Sequence, residues 1–249
     1  MSEFVVVIPA RYESQRLPGK PLRMIAGKPM LQHVWERGTE SDASEVLVAT
    51  DDQRIFDAAK AFGATVCMTA SEHRSGTERI AEVSEQMNWP DDRIVVNLQG
   101  DEPAMSAALI NQCAALLDDD SIAMATLASP FASRDDFDNP NFVKVVSGDS
   151  GNAIYFSRSP IPYSRSADTG ELAVQSAMHH LGIYAYRCGA LRTIVAAEPS
   201  RLEACEQLEQ LRALSIGIDI RVGIAVEKPV PGVDAEHDLD RIDRLFSSN

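Results

Sequence analysis

Phe4-Val5-Val6-Val7-Ile8-Pro9-Ala10-Arg11-Tyr12-Glu13-Ser14-Gln15-Arg16-Leu17-Pro18-Gly19-Lys20-Pro21-Leu22 opens the chain and decides how the rest is read. Five apolar residues closed by a proline predict a buried strand over 4–8, because β-branched side chains suit a sheet covered on both faces. A loop punctuated by Gly and Pro follows, from Ala10 to Pro29. Residues 11–28 carry Arg11, Arg16, Lys20, Arg23 and Lys28 against a single acid, Glu13. Arginine offers a planar fork of donors and lysine a compact charge, and both suit phosphate oxygens. Neither G-x-x-x-x-G-K-[ST] nor G-x-G-x-x-G is present, so the loop is neither a Walker A motif nor a dinucleotide fingerprint.

Downstream, the pattern alternates. Strands are expected at 46–50, 65–69 and 94–98, and helices at 30–38, 53–62, 77–87 and 107–117, with Gly63 at a helix C-terminal cap. Such alternation predicts an α/β fold with a mostly parallel central sheet, Rossmann-like, whose ligands sit beyond the carboxyl ends of the strands. Ala10 to Lys28, Thr50-Asp51-Asp52 and Gln99 to Glu102 all fall at that edge. Beyond residue 120, strands are expected at 124–127, 143–146, 153–156, 183–186 and 218–225, and helices at 191–197, 203–214 and 239–246. An inserted, more antiparallel sheet portion is expected around 130–190. The chain is thus read as one domain, 1–249. Three portions are distinguished: residues 1–128, 129–235 and, as a C-terminal helix, 236–249.

Charge narrows the function classes. With 23 Lys and Arg against 37 Asp and Glu, the net charge is −14, which argues against nucleic-acid binding and against anionic membranes. The apolar run at the N-terminus is too short to span a bilayer and has no cleavable leader pattern, so a cytoplasmic protein with no membrane insertion is expected. Cys67, Cys113, Cys188 and Cys205 have neither C-x-x-C nor zinc-finger spacing and are expected to be reduced. Asp101, at the end of a strand facing the basic loop, suits Mg²⁺, which takes one or two carboxylates plus phosphate oxygens. It equally suits a turn. Asp234, near the last helix, suits either a metal or a helix N-cap.

Further blocks carry a resemblance. They are Ser75-Gly76-Thr77-Glu78-Arg79, Val96-Asn97-Leu98-Gln99-Gly100-Asp101-Glu102-Pro103, Asn139-Pro140-Asn141-Phe142-Val143-Lys144-Val145-Val146, Tyr155-Phe156-Ser157-Arg158, His180-Leu181-Gly182-Ile183-Tyr184-Ala185-Tyr186-Arg187, Leu208-Glu209-Gln210-Leu211-Arg212 and Gly232-Val233-Asp234. In this order, and with the opening loop, they resemble the CMP-KDO synthetase (3-deoxy-manno-octulosonate cytidylyltransferase) family over nearly the whole chain. The resemblance implies a transferase that moves CMP from CTP to the anomeric hydroxyl of 3-deoxy-manno-octulosonate (KDO), releasing pyrophosphate, for lipopolysaccharide synthesis. It implies CTP bound by Ala10, Arg11, Arg16, Lys20, Arg74, Ser75, Gly76 and Asp101. Of these, Arg11, Arg16, Lys20 and Asp101 serve catalysis.

It further implies Mg²⁺ held by Asp101 and Asp234, a sugar acid read by Gln99, Arg158, His180, Tyr184, Glu209 and Gln210, and a homodimer, with residues 1–128 as the nucleotide-binding half and 129–235 as the sugar-binding and dimerisation portion. Read on their own, Arg158 suits a surface cation, His180 a core histidine, and Glu209 and Gln210 a solvated helix face. A cytidylyltransferase for a related sugar acid, such as an 8-amino analogue, or another sugar nucleotidyltransferase is the alternative. The chain departs from the family pattern at Arg74, and at Ala235-Glu236-His237, where the family has Thr-Pro-Glu. Asp234, with His237 close by, then also suits the role of helix cap.

Overall fold

The computed structural model describes residues 2–13, 17–166 and 169–247. Its first strand, β1 (Phe4–Ala10), is buried along almost its whole length. It pairs in parallel with β4 (Glu45–Thr50) and β6 (Ile94–Asn97). Phe4, Val6 and Ile8 point to one face, where α1 (Met30–Thr39), α2 (Gln53–Ala61) and α4 (Ala107–Ala115) cover them with Leu31, Val34, Ile55, Leu109 and Ile110. Val5 and Val7 point to the other face. There α3 (Gly76–Gln86) and α7 (Cys188–Ala196) cover them with Ile80, Val83, Leu191 and Ile194. Strand periodicity thus divides one apolar run between two cores, which is why every residue of it is apolar.

Among the described residues, the main sheet runs β11-β7-β10-β6-β1-β4-β5, with β5 (Thr65–Met68), β7 (Met124–Ser129), β10 (Met178–Arg187) and β11 (Ile220–Ile224). β7 and β11 are parallel, whereas β10 runs antiparallel to both β6 and β7. The N-terminal end of β10 also pairs with β8 (Lys144–Ser147), which pairs with β9 (Ala153–Ser157). The sheet is therefore mostly parallel with an antiparallel annex, as expected. Helix starts follow the sequence: Asp52, Ser75, Ser106 and Ser200 each accept a first-turn N–H.

Several boundaries differ from expectation. The helix expected over 203–214 is two helices, α8 (Arg201–Glu206) and α9 (Gln210–Ser215), separated where Gln207 adopts a left-handed backbone, φ 53°. The strand expected at 183 begins five residues earlier, because a bulge between Leu181 and Tyr184 lets β10 carry two registers against β7. The loop over Ala10–Pro29 contains a 3₁₀ turn (Lys20–Leu22) and a hairpin of β2 (Met24–Ile25) and β3 (Lys28–Pro29). Helices α5 (Arg134–Asp138) and α6 (Gly170–Ser176) were not foreseen. The last helix, α10 (Glu236–Ser247), starts at 236, as the division of the chain expects, and three residues before the periodic stretch at 239. Its Leu239 and Ile242 form a third core with Leu17, Ile25, Met30 and Val233. That small core fastens the basic loop to the segment carrying Asp234.

Candidate active site

Three chain segments meet at the carboxyl end of β1. Gly76 lies so close to Pro9 that a Cβ would stand 3.0 Å from the ring, and a Cβ on Gly100 would stand 2.9 Å from the Pro9 carbonyl oxygen. Small residues at both positions let the start of α3 and the turn after β6 close on the end of β1. The turn after β6 then receives a fourth segment: the Val233 N–H donates to the Asp101 carbonyl at 2.9 Å. A side chain on Gly232 would meet that carbonyl at 2.8 Å. Asp101 and Asp234, far apart in sequence, become neighbours this way.

Lys20 stands between them. Its ammonium is 2.7 Å from Asp101 Oδ2 and 3.5 Å from Asp234 Oδ1. The lysine side chain is nearly buried, while the two carboxylates remain open to solvent. Burial and then the adjacent Asp101 push the Glu102 carboxyl up to about 8, so it is largely neutral near pH 7. The start of α10 is held by Asp238, whose Oδ2 accepts from the N–H groups of Asp234 and Ala235, 3.1 Å each. The Asp234 side chain faces Lys20, 3.5 Å from its ammonium. His237 is exposed, 3.6 Å from Asp238.

Of the remaining residues expected at the nucleotide, Ala10 is buried at the end of β1 and Arg11 is exposed beyond it. Arg16 lies outside the described residues. Ser75 caps α3, and the Arg74 N–H donates to Glu78 Oε2 at 2.7 Å, with the Arg74 side chain exposed at the mouth. The first turn of α3 stands at the end of β1, and a helix N-terminus favours anions.

A cleft opens beside this edge. Gln99, Tyr184, Glu209 and Gln210 line it, as do Thr77, Asn97 and Tyr186. The structure therefore brings together four of the six residues expected at the sugar. The Gln210 side-chain nitrogen is buried and meets no acceptor among the described residues. A buried donor left unmade costs about 1–3 kcal/mol, a cost that a ligand oxygen would remove.

Arg158 and His180 are placed elsewhere. The guanidinium of Arg158 brackets the break between α8 and α9, donating to the Glu206 carbonyl at 2.8 Å, the Pro140 carbonyl at 3.2 Å and the Gln207 carbonyl at 3.5 Å. His180 is buried on β10, its ring centroid 5.1 Å from that of Phe156 and 5.2 Å from that of Tyr184. The Thr126 hydroxyl donates to the Ile183 carbonyl at 2.6 Å and has no second proton. It therefore accepts from His180 Nε2 at 3.0 Å. Both carbonyls that Thr126 reaches, Leu181 and Ile183, belong to the bulge.

Burial, and secondarily His179, depress the His180 pKa from 6.5 to about 3. The unfolded chain then binds a proton that the native state refuses. Stability from this group is complete above pH 6.5 and is lost as pH falls below it toward about 3. The loss is about 2 kcal/mol between pH 6.5 and about pH 5. Urea unfolding at the two pH values measures it, and His180→Gln removes that part of the slope. An identical slope in the variant contradicts the assignment.

Thr77, Asn97 and Tyr186 were missed by the sequence reading. One signal was available: Tyr186 stands two residues from Tyr184 on one strand and hence on the same face.

Basic groups at the end of β1, facing a carboxylate pair at the carboxyl edge of a mostly parallel sheet, define a nucleotide-handling site of the nucleotidyltransferase class. A cytidylyltransferase family model matches residues 5–220, and the chain belongs to that family. It is 51% identical over 247 residues to the 3-deoxy-manno-octulosonate cytidylyltransferase of Vibrio vulnificus (strain YJ016), covering 98% of each chain. It is 49% identical over 248 residues to the 3-deoxy-manno-octulosonate cytidylyltransferase 1 of Actinobacillus pleuropneumoniae serotype 5b (strain L20), covering 98% of this chain and 99% of that one. A solved CMP:2-keto-3-deoxy-manno-octonic acid synthetase complexed with CTP superposes with a TM-score of 0.91 at 42% identity, over 99% of each chain.

Proposed function

We propose that the chain transfers CMP from CTP to the anomeric hydroxyl of 3-deoxy-manno-octulosonate and releases pyrophosphate. One observation carries the reading beyond the family. The cleft beside the Lys20–Asp101–Asp234 cluster is lined by amide, hydroxyl and carboxylate groups, which suit a polyhydroxy acid, and its buried Gln210 nitrogen has no acceptor among the described residues. Relatives at about half identity over their full length bear the same activity in their names.

In this reading the triphosphate lies along Arg11 and Lys20, with Arg16 as a third cation, and against Ala10, Arg74, Ser75 and Gly76 at the start of α3. Hydrogen bonds to Gln99, Tyr184, Glu209 and Gln210 orient the sugar so that its anomeric oxygen meets the α-phosphorus in line with the departing pyrophosphate. Arg158 and His180 complete the sugar site by holding the walls behind it: the first fixes the α8–α9 break, the second packs on Tyr184. The barrier lies in the charge that builds on the transferring phosphoryl and the leaving group. Fixed cations aimed there lower it without a protein nucleophile.

Asp101 and Asp234 fit Mg²⁺. They are hard oxygen donors already gathered around one cation, the Lys20 ammonium, and two carboxylates leave the remaining positions to phosphate oxygens and water. When bound there, Mg²⁺ supplies charge neutralisation of the phosphates and a lower pKa for the attacking hydroxyl.

The enzyme acts in the cytoplasm, supplying the activated sugar for lipopolysaccharide synthesis. Among the described residues no helix is long and apolar enough to cross a membrane. It works as a homodimer joined through the annex, where Ile154, Tyr163 and Leu172 stand exposed. Pyrophosphate release, measured with CTP and a panel of sugar acids, tests the activity. Release with KDO above its 8-amino analogue supports the assignment. Release with the analogue alone shifts it to that substrate.

A further inference from the structure

Asp234 is carried on residues 231–235, a stretch that is neither strand nor helix. A carboxylate on irregular backbone stays in place only if other groups fix its peptide planes, and here each plane of the stretch is held. Arg241, in the second turn of α10, donates through Nη2 to the Pro231 carbonyl at 2.8 Å and to the Gly232 carbonyl at 2.9 Å. That nitrogen has two protons, one for each carbonyl. Asp238 Oδ1, 3.5 Å away, offsets its charge. The plane after Gly232 is also held at its other end, where the Val233 N–H donates to the Asp101 carbonyl at 2.9 Å. Asp238 Oδ2 accepts from the N–H groups of Asp234 and Ala235, 3.1 Å each. A peptide unit is planar, so a bond to either end constrains the whole unit. Arg241 therefore sets the two planes before the Val233 Cα, and Asp238 the two planes that flank the Asp234 Cα. The Val233 side chain, buried in the third core, anchors the middle.

We propose that Arg241 and Asp238 are positioning residues that hold the Asp234 carboxylate beside Asp101, so that a divalent cation meets two carboxylates already gathered. The two negative charges repel each other, and a fixed backbone keeps them together. Without the grip, Asp234 is free to turn toward solvent, and the cation must reassemble its own site. Groups that orient metal ligands in this way contribute about 10–100-fold in metal affinity. Neither Arg241 nor Asp238 lines the cleft assigned to the sugar, so their effect is confined to the metal edge.

The inference rests on Asp101 and Asp234 being the Mg²⁺ site. The test compares the full chain with Arg241→Met, Asp238→Ala and Arg241→Lys. It reads the Mg²⁺ concentration that gives half the maximal rate, the octulosonate KM, and the unfolding temperature. It also reads the rise in unfolding temperature that Mg²⁺ adds to saturating CTP without octulosonate, which reports binding and not turnover. In Arg241→Met and Asp238→Ala the half-maximal Mg²⁺ is expected to rise about tenfold or more. The Mg²⁺-dependent rise in unfolding temperature is expected to be lost at the concentration that half-saturates the parent. The octulosonate KM is expected to stay within about twofold, and ligand-free unfolding to shift by only a few degrees. Arg241→Lys, whose single ammonium can bond both carbonyls as Nη2 does, is expected to keep the half-maximal Mg²⁺ within about threefold of the parent. The grip is refuted if Arg241→Met and Asp238→Ala leave the Mg²⁺ requirement unchanged, if the octulosonate KM rises equally, or if Arg241→Lys is as impaired as Arg241→Met. A parent enzyme whose turnover and CTP-bound stability do not respond to Mg²⁺ refutes the metal assignment instead, so the two failures are separable.

Discussion

Asp101→Asn is expected to lower kcat by about 1000-fold or more while leaving the fold intact. The substitution keeps the size and hydrogen-bonding shape of the side chain but removes one of the two negative charges around Lys20, 2.7 Å away. The proposed Mg²⁺ site loses half of its protein donors. The developing charge on the phosphoryl group then lacks the fixed counter-charge built for it. Stability changes little, because the Asp101 side chain is 40% exposed and an ion pair that open to water contributes about 0–1 kcal/mol. Two measurements check this together: pyrophosphate release under saturating CTP, and the unfolding temperature. Retained Mg²⁺-dependent turnover in the variant contradicts the metal assignment.

Arg212→Met is expected to have the largest effect on stability, about 3–5 kcal/mol. Arg212 grips Glu203 through two bonds, Nε to Oε2 at 2.8 Å and Nη2 to Oε1 at 2.5 Å, and both side chains are about nine-tenths buried. Hydrogen bonding to Glu203 raises the Arg212 pKa, so the guanidinium stays charged. Glu203 also closes the capping box of α8 by accepting from the Ser200 N–H. Without Arg212 its carboxylate is left buried and unpaired, and this costs more than the pair contributes. For a chain of this length the loss corresponds to roughly 10 °C in unfolding temperature. The double variant Glu203→Gln/Arg212→Met is expected to recover part of that loss, since it removes the stranded charge and keeps the cap. A double variant as unstable as Arg212→Met excludes the stranded charge as the cause. The same pair joins α8 to α9, which carries Gln210 and begins beside Glu209, so the octulosonate KM should rise in Arg212→Met as well.

Much of the nucleotide half is legible in sequence because local physics determines it. Apolar runs of four to seven residues alternate with capped amphipathic helices, and Pro9, Asp51 and Gly100 mark the ends of the first, second and fourth of the strands expected there. The break at Gln207 is not legible. Glutamine is a good helix former, and the left-handed turn there is held by Arg158 from 48 or 49 residues away. The meeting of Asp101 and Asp234 is equally invisible, since it depends on one backbone hydrogen bond from Val233 and on the absence of a side chain at Gly232. The resemblance supplied that pair where spacing could not. Thr77 and Tyr186 read locally as a helix residue and a strand residue. Only the approach of Glu209, 132 positions along the chain, gives the Thr77 hydroxyl its acceptor. Arg158 and His180 show the converse: residues expected at the sugar are tied to carbonyl oxygens and to Thr126.

The central claim is that one cleft joins CTP to an octulosonate at the Asp101–Asp234 edge. Its most direct measurement follows products from CTP, KDO and Mg²⁺ by mass spectrometry. The proposed reaction gives one CMP–octulosonate conjugate for each pyrophosphate released, with neither formed when KDO or Mg²⁺ is left out. Pyrophosphate released without KDO, or no conjugate with any octulosonate, would contradict it.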